Sequence, residues 1–340
     1  MTASGDEIIE MAHGAGGRAT RRLVEGLFAP LLGNPALDAM GDAALVGERA
    51  GRLAMTTDCF VVSPAVFPGG CLGSLAVHGT VNDLAVSGAE PVAITAGFVL
   101  EAGLRVSALR AQVEAMASAA REAGVSVVAG DTKVVEHGRA DGLYICTAGL
   151  GVLHASAGLD PRRARAGDAV LVSGPIGDHG VAILLTRSGL ALDSDLASDS
   201  RSVLPLTRAL LDSVGPGVRW MRDATRGGVA TVLNEFAQAS GLGVEIEEAC
   251  IPVRDEVRGA CELLGLDPLH VACEGQFVAV VAGKDAERAL AALRAIPGGE
   301  GARRIGEVTG DGAGPVRCRS AYGSSRVVDV LVGDPLPRIC

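Results

Sequence analysis

Several scarcities in the 340-residue sequence narrow its class before any motif is read. Only nine residues are aromatic, no basic run occurs, and the formal net charge is −10. Nucleic-acid binding rests on phosphate neutralisation and base stacking, so no nucleic-acid partner is expected. No apolar stretch is long and clean enough to span a bilayer. The opening "MTASGDEIIEMAHGAGG" also lacks the basic start and apolar core of a signal peptide. The expectation is a soluble, cytoplasmic protein with no membrane contact.

Metal and nucleophile signatures are missing too. None of the eight cysteines lies two to four residues from another, so zinc-ribbon spacing is absent. The histidines show no H-E-x-x-H, and there is neither a G-x-x-x-x-G-K-S/T loop nor a G-x-S-x-G elbow. Seven cysteines therefore read as buried, reduced thiols. Lysine is scarce: among 30 basic residues only Lys133 and Lys284 are lysines. Lysine can lose its proton and can face a phosphate as a compact charge, which singles out Lys133 for scrutiny.

What is present is a chain with 48% apolar residues in which strand and helix patterns alternate. Leu23, Leu27 and Leu31 recur at helical spacing, and "RLAMTTD" and "PVAITAGFVL" read as strands. Ser107 is placed to cap a helix whose apolar stripe is Leu109, Val113, Met116 and Ala120, closed by Gly124. "VSVVAGD" reads as a buried strand. The irregular "HASAGLDPRRARAGD" suggests a boundary near residue 155, after which the pattern restarts with "DAVLVSG". Two α+β domains are expected, 1–155 and 156–332. Pro335 and Pro337 make 333–340 ("GDPLPRIC") an extended tail, reaching roughly 25 Å at ~3.1 Å per residue and ending in Cys340.

Three segments combine glycines with carboxylates. In "GTVNDLAVSGAEP", Asn82 and Asp83 interrupt a helical pattern; they are either a solvated face or oxygen ligands for Mg²⁺. In "AGDTKVVE", Asp131, Thr132 and Lys133 follow a buried strand, either as a tight turn or as groups facing a phosphate. In "MRDATRGGVATVLNEF", a helix beginning at Gly227–Gly228 offers free N–H groups to an anion, and Asp223 is either its cap or a ligand. "GDAALV" and "GDAVLV" are near-identical turns, so local pattern leaves Asp42 and Asp168 indistinguishable.

Taken together, "HGAGG", "FPGGCLGSLAVHGTVNDLAVSGAEP", "GDTKVVE", "SGPIGDHG", "MRDATRGGVA", "IPV" and the terminal "PRIC" resemble one family over almost the whole chain. It is the carbamoyl dehydratases of nickel–iron hydrogenase assembly. They belong to the ATP-binding superfamily of aminoimidazole ribonucleotide synthetase, selenophosphate synthetase and thiamine-monophosphate kinase. The resemblance implies a homodimer whose N-terminal strands form a shared barrel. It implies ATP with Mg²⁺ held by Asp42, Asp58, Asp83 and Asp131, with Asn82, Thr132 and Asp223 beside them. Cys340 would accept a carbamoyl group from the carbamoyltransferase HypF. ATP would then drive dehydration of the thiocarboxamide to a thiocyanate, for cyanide delivery to iron on the HypC–HypD complex. Lys133 and Glu274 are the candidates for taking the nitrogen's protons and holding the γ-phosphate, and Arg338 for offsetting the terminal carboxylate. Departures from the family pattern are Cys273 and Gln276 in "CEGQ", and Ala224 where proline is usual. A small-molecule kinase or synthetase of the same superfamily is the alternative.

Overall fold

The computed structural model describes residues 7–15, 17–37, 43–44, 46–188, 195–310, 314–330 and 338–340. Asp42 and residues 333–337 of the expected tail lie outside them. The chain begins with α1 (Arg18–Leu23) and α2 (Ala29–Leu32), joined by a π turn at Val24–Phe28.

The N-terminal half is built on a four-stranded sheet. Its strands are β1 (Leu53–Phe60), β4 (Ala89–Glu101), β5 (Val127–Val135) and β6 (Leu143–Leu153), in the order β1-β6-β4-β5. A short hairpin, β2 (Val66–Phe67) with β3 (Gly70–Cys71), leads into α3 (Leu72–Val86). β6 alternates between buried and half-buried side chains along its length, as a sheet with one covered face requires. α3 and α4 (Val106–Glu122) supply the cover. α4 buries Leu109, Val113, Met116 and Ala120, but it starts at Val106 rather than being capped by Ser107. The N-terminal segment sets that start: the Val106 N–H donates to the Glu7 carbonyl, and Ile8 bridges to Arg105.

The C-terminal half carries a seven-stranded sheet. It comprises β7 (Ala169–Val172), β8 (Val218–Asp223), β9 (Gly243–Glu247), β10 (Phe277–Val281), β11 (Arg303–Thr309), β12 (Val316–Arg319) and β13 (Ser325–Val328). The order is β13-β12-β9-β11-β7-β10-β8. β10, "FVAVV", lies between β7 and β8 and is buried at every residue, which explains its unbroken apolar run. Helices α5 (Asp178–Ser188), α6 (Leu204–Val214), α7 (Gly228–Ser240), α8 (Asp255–Leu264) and α9 (Ala286–Arg294) complete this half. Among the described residues no helix is long and apolar enough to cross a membrane.

Two differences from the sequence reading matter for the site. β5 does not end at Gly130 but continues through Asp131, Thr132 and Lys133 to Val135, because these residues pair in parallel with β4. Asp223 is not a helix cap. It closes β8, and α7 is entered through Gly227 and Gly228, whose φ of 73° and 59° are left-handed and favour glycine.

The two halves share one apolar core, in which α3 packs against α6 and β8 as well as against its own sheet. α3 also packs tightly on α4: a Cβ at Gly73 would stand 2.0 Å from the Gln112 carbonyl oxygen. Gly73→Ala is therefore expected to lower stability by about 1–3 kcal/mol despite alanine's better helix propensity, read as a lower chemical-denaturation midpoint.

Candidate active site

α3 carries Asn82 and Asp83 to the junction of the two halves. Asn82 is buried and its hydrogen bonds are all internal: Nδ2 donates to the carbonyls of Arg201 (2.9 Å) and Glu274 (3.2 Å), and Oδ1 accepts from the Val203 N–H (2.8 Å). It thus positions the Glu274 backbone, with one hydrogen bond already made to its side-chain oxygen. Asp83, one residue on, faces β1 and accepts from Thr56 Oγ1 at 2.6 Å. A cleft of about 460 Å³ opens here, lined in part by Thr56, Asp83, Arg222 and Asp223.

Glu274 lies in the turn before β10. Asp199 holds that turn by accepting the N–H groups of Glu274 (3.0 Å) and Gly275 (3.2 Å). Glu274 is 3% exposed and its Oε1 has no hydrogen-bond partner among the described residues. The family departures fit around it. Gln276 Oε1 accepts from Ser173 Oγ at 2.7 Å, and the Cys273 sulfur accepts the Gly177 N–H at 3.2 Å. Ala224 donates its N–H to the Gln276 carbonyl at 3.0 Å, a bond that proline could not make.

The chain terminus is folded inward. Cys340 and Arg338 accept the N–H groups of Val61 (3.0 Å) and Ser63 (3.3 Å), and the Ile339 side chain is buried. His179 Nε2 lies 2.7 Å from the Ile339 carbonyl, which can only accept, so Nε2 carries the proton and Nδ1 accepts from Ser198 Oγ at 2.7 Å. Burial keeps His179 neutral by lowering its pKa. Arg338 does not offset the terminal carboxylate. Its guanidinium pairs with Asp141 at 2.6 Å and donates to the Val61 carbonyl at 3.1 Å. Its φ of 55° is a left-handed conformation that a non-glycine residue adopts only under such restraint.

The inward terminus brings Cys340 beside Glu274, Asp58 and Arg226. Burial first, then the Glu274 charge, pushes the thiol up to about 11, against the pull of Arg226. The carboxyls around it rise together. Burial and Asp83 push Asp58 to about 6, and burial, Asp83 and Asp58 push Asp223 to about 7. Burial followed by Asp223, Asp199 and Asp58 lifts Glu274 well above the ordinary range. Asp83 is also raised by burial, with its Thr56 bond opposing. These groups repel one another in a low-dielectric pocket, and Arg222 and Arg226 offset the repulsion only in part.

Asp131, Thr132 and Lys133 lie elsewhere. Asp58 is on edge strand β1 and Asp131 on edge strand β5, three strand spacings or ~14 Å apart. Lys133 pairs with Asp131 at 2.9 Å, both side chains more than half exposed, and Lys133 holds the Asp131 carboxyl below its usual value. Next to them is an apolar slot of about 140 Å³ lined by Phe28, Leu32, Phe98 and Val127, with Asp131 and Thr132 also in its wall. Asp168 is a turn residue tied to Arg219 at 3.1 Å. The sequence reading missed His179, Asp199 and Arg226. Their only signal was position, inside or beside segments already noted for other reasons.

Among the described residues no three His, Cys, Asp or Glu side chains converge as a metal cage. Mg²⁺ does not need one: it is held by one or two carboxylates together with water and phosphate oxygens. Asp58 and Asp83, mutually repelling, fit that requirement.

Residues 40–153 match the N-terminal domain, and 165–319 the C-terminal domain, of the AIR synthase related proteins. The carbamoyl dehydratase HypE of Cupriavidus necator is 52% identical over 333 residues, spanning 98% of this chain and 95% of that protein. A crystal structure of the hydrogenase maturation protein HypE in complex with ATP superposes with a TM-score of 0.93 at 45% identity, covering 97% and 99% of the two chains. One of a HypE–HypF complex superposes at 0.80, with 45% identity and coverage of 91% and 99%. With near-complete coverage in both directions, the chain belongs to the HypE family of hydrogenase maturation proteins, on an AIR synthase related fold.

Proposed function

We propose that the protein dehydrates a thiocarboxamide on Cys340 to a thiocyanate at the expense of ATP, supplying cyanide for hydrogenase iron in the cytoplasm. The observation that carries this reading is the terminal sulfur brought within electrostatic reach of Glu274, a buried carboxyl whose Oε1 has no hydrogen-bond partner among the described residues. A polar atom left bare at that depth is costly unless a ligand completes it, and a cargo N–H on Cys340 would do so.

Folded inward, the thiol at about 11 is almost wholly protonated and a poor nucleophile. Loading from the HypF-bound carbamoyl adenylate therefore takes place with the terminus withdrawn, where an ordinary thiol pKa of ~8.5 is regained. On return, His179, Val61 and Ser63 fix the backbone of residues 338–340, so the cargo enters the pocket in one orientation. Phosphoryl transfer from ATP makes the cargo oxygen a leaving group. Departure of phosphate and loss of both N–H protons leave S–C≡N, the overall change being one water removed. Asp223, at about 7, is poised to accept a proton near neutrality, and Glu274, beside Cys340, offers Oε1 as a hydrogen-bond acceptor that orients the cargo N–H. Arg226 faces the negative charge that develops there.

Asp58 and Asp83 would hold Mg²⁺ at the phosphates, with Asp42 as a further ligand. Asp131, Thr132 and Lys133 are too far from Cys340 within one chain, so their part in gripping the γ-phosphate belongs to the homodimer, whose N-terminal sheets close into a barrel. Among the described residues both outer strands of the four-stranded sheet, β1 and β5, lack a paired strand on one side, which supports that closure. The HypC–HypD complex is the cyanide acceptor.

Carbamoylated protein given Mg²⁺–ATP is expected to lose the mass of one water, and Cys340→Ala to show neither loading nor loss. Full ATP-dependent product formation by a chain lacking 335–340 would favour the kinase or synthetase reading instead. Because a base must be deprotonated to act, the dehydration rate should rise with pH through about 7 and then level off. Asp223→Asn should abolish that limb and slow the step by roughly 10²–10⁴. His179→Ala, which removes the bond to Ile339, should raise the rate of Cys340 alkylation by up to about tenfold, as scored by mass spectrometry.

A further inference from the structure

Outside the Cys340 pocket, the described residues hold further thiols and one deeply buried acid with an unmet hydrogen bond. Of the seven cysteines expected to be buried, Cys261, Cys273 and Cys318 are, while Cys59 is exposed and the other three are half-buried. The acid is Asp178, the first residue of α5, which is 3% exposed. Its Oδ2 accepts from Arg254 Nε at 2.8 Å, and its Oδ1 has no hydrogen-bond partner among the described residues. Asp178 and Arg254 both stand in the wall of a cavity of about 490 Å³, so the carboxyl is aimed into it. Burial pushes Asp178 up to about 6 against the pull of Arg254, so one guanidinium does not offset the cost of that burial. Every lining residue falls between 175 and 301, outside the N-terminal sheet through which two copies would pair.

We propose that this cavity is a binding site for a guanidinium head on an aliphatic stem, supplied by an arginine of a partner protein or by a free alkylguanidine. Five carboxylates line it: Asp178, Asp195, Asp199, Glu256 and Glu300. The two guanidiniums in the wall are already engaged. Arg254 is held by Asp178, and Arg201 donates to the Gly275 carbonyl (3.2 Å) and to Gln276 Oε1 (3.5 Å). The wall is therefore short of cations and repels an anion. A metal ion fits no better, since among the described residues no three acids converge as a cage. A guanidinium meets both conditions. Its five N–H donors can reach Asp178 Oδ1 and a second acid at once, while its stem lies against Pro175 and Leu196. Asp195, Glu256 and Glu300 are exposed, so an incoming cation meets these acids before it reaches Asp178. Asp199 also belongs to the wall, and it holds the Glu274 turn. The occupant thus sits next to that turn, while Glu274 and Cys340 lie outside the lining.

The test is isothermal titration calorimetry of the full-length, unloaded protein at low ionic strength and about pH 7.5, where Asp178 keeps its charge. The probes are Nα-acetylarginine amide, butylguanidinium and the neutral Nα-acetylcitrulline amide. Both guanidiniums are expected to saturate one site, and the citrulline amide to leave it empty. Tighter binding of the arginine amide marks a partner protein as the source, and tighter binding of butylguanidinium marks a free base. Asp178→Asn should weaken either probe by about tenfold or more, because a buried charge-assisted bond is lost. Glu256→Gln, on the exposed side where the fold is not at stake, should weaken it by about two- to fivefold. Absence of saturable binding by both guanidiniums would overturn the proposal. So would equal affinity for the citrulline amide, or an affinity that neither substitution changes. The protein carries neither cargo nor nucleotide in this assay, so no outcome depends on the dehydration of Cys340.

Discussion

A carboxylic acid buried at the junction of two domains is the constraint around which the rest is arranged. Glu274 cannot hold a charge cheaply where it lies, and its backbone is fixed from two directions, by Asn82 on α3 and by Asp199. Each support comes from a different part of the chain, so the N-terminal helix and the loop before α6 must both be in place before the acid is correctly aimed. Desolvation then acts on everything it touches. The same low-dielectric pocket that raises Glu274 also raises Asp223, Asp58 and the incoming thiol. Arg226 faces Cys340, Asp58 and Glu274, and Arg222 faces Asp83 and Asp223. The proposed chemistry therefore rests on where solvent is excluded more than on any single catalytic side chain.

The terminus joins this arrangement by backbone bonds more than by side chains. Val61 and Ser63 at the end of β1 receive residues 338–340 much as a sheet edge receives a short strand. Backbone recognition of this kind tolerates a changing group on the Cys340 sulfur, since nothing in the grip reads the cargo itself. One segment can then return with a free thiol, a carbamoyl group or its dehydrated product.

Much of the fold was legible because its pattern is periodic. The α4 stripe, the alternating β6 and the continuous apolar β10 are each what burial on one face or on both demands. The site was legible unevenly. Asp83 and Glu274 stood out only as carboxylates in unusual settings or through resemblance, whereas Asn82 in the same motif ties together backbone groups of Arg201, Val203 and Glu274. Asp131 to Lys133 read as an irregular segment because polar residues followed an apolar strand. Parallel pairing with β4, a long-range contact, keeps them extended. His179 and Arg226 lie inside motifs the sequence flagged, yet nothing local gave their roles, since the partners that define them lie 160 residues away in the first case and at the chain end in the second. The departure at Ala224 shows the reverse: a change from family habit matched by a backbone bond to Gln276, itself a departure.

Cys273 adjoins Glu274 in sequence, and its seclusion has a chemical consequence. An alkyl thiocyanate is electrophilic at sulfur, and a neighbouring thiolate would displace cyanide, forming a disulfide and discarding the product before delivery. Cys273 is fully buried, accepts a hydrogen bond from Gly177, and has its pKa driven far upward by burial and the surrounding acids. It therefore stays a neutral thiol, unable to carry out that displacement.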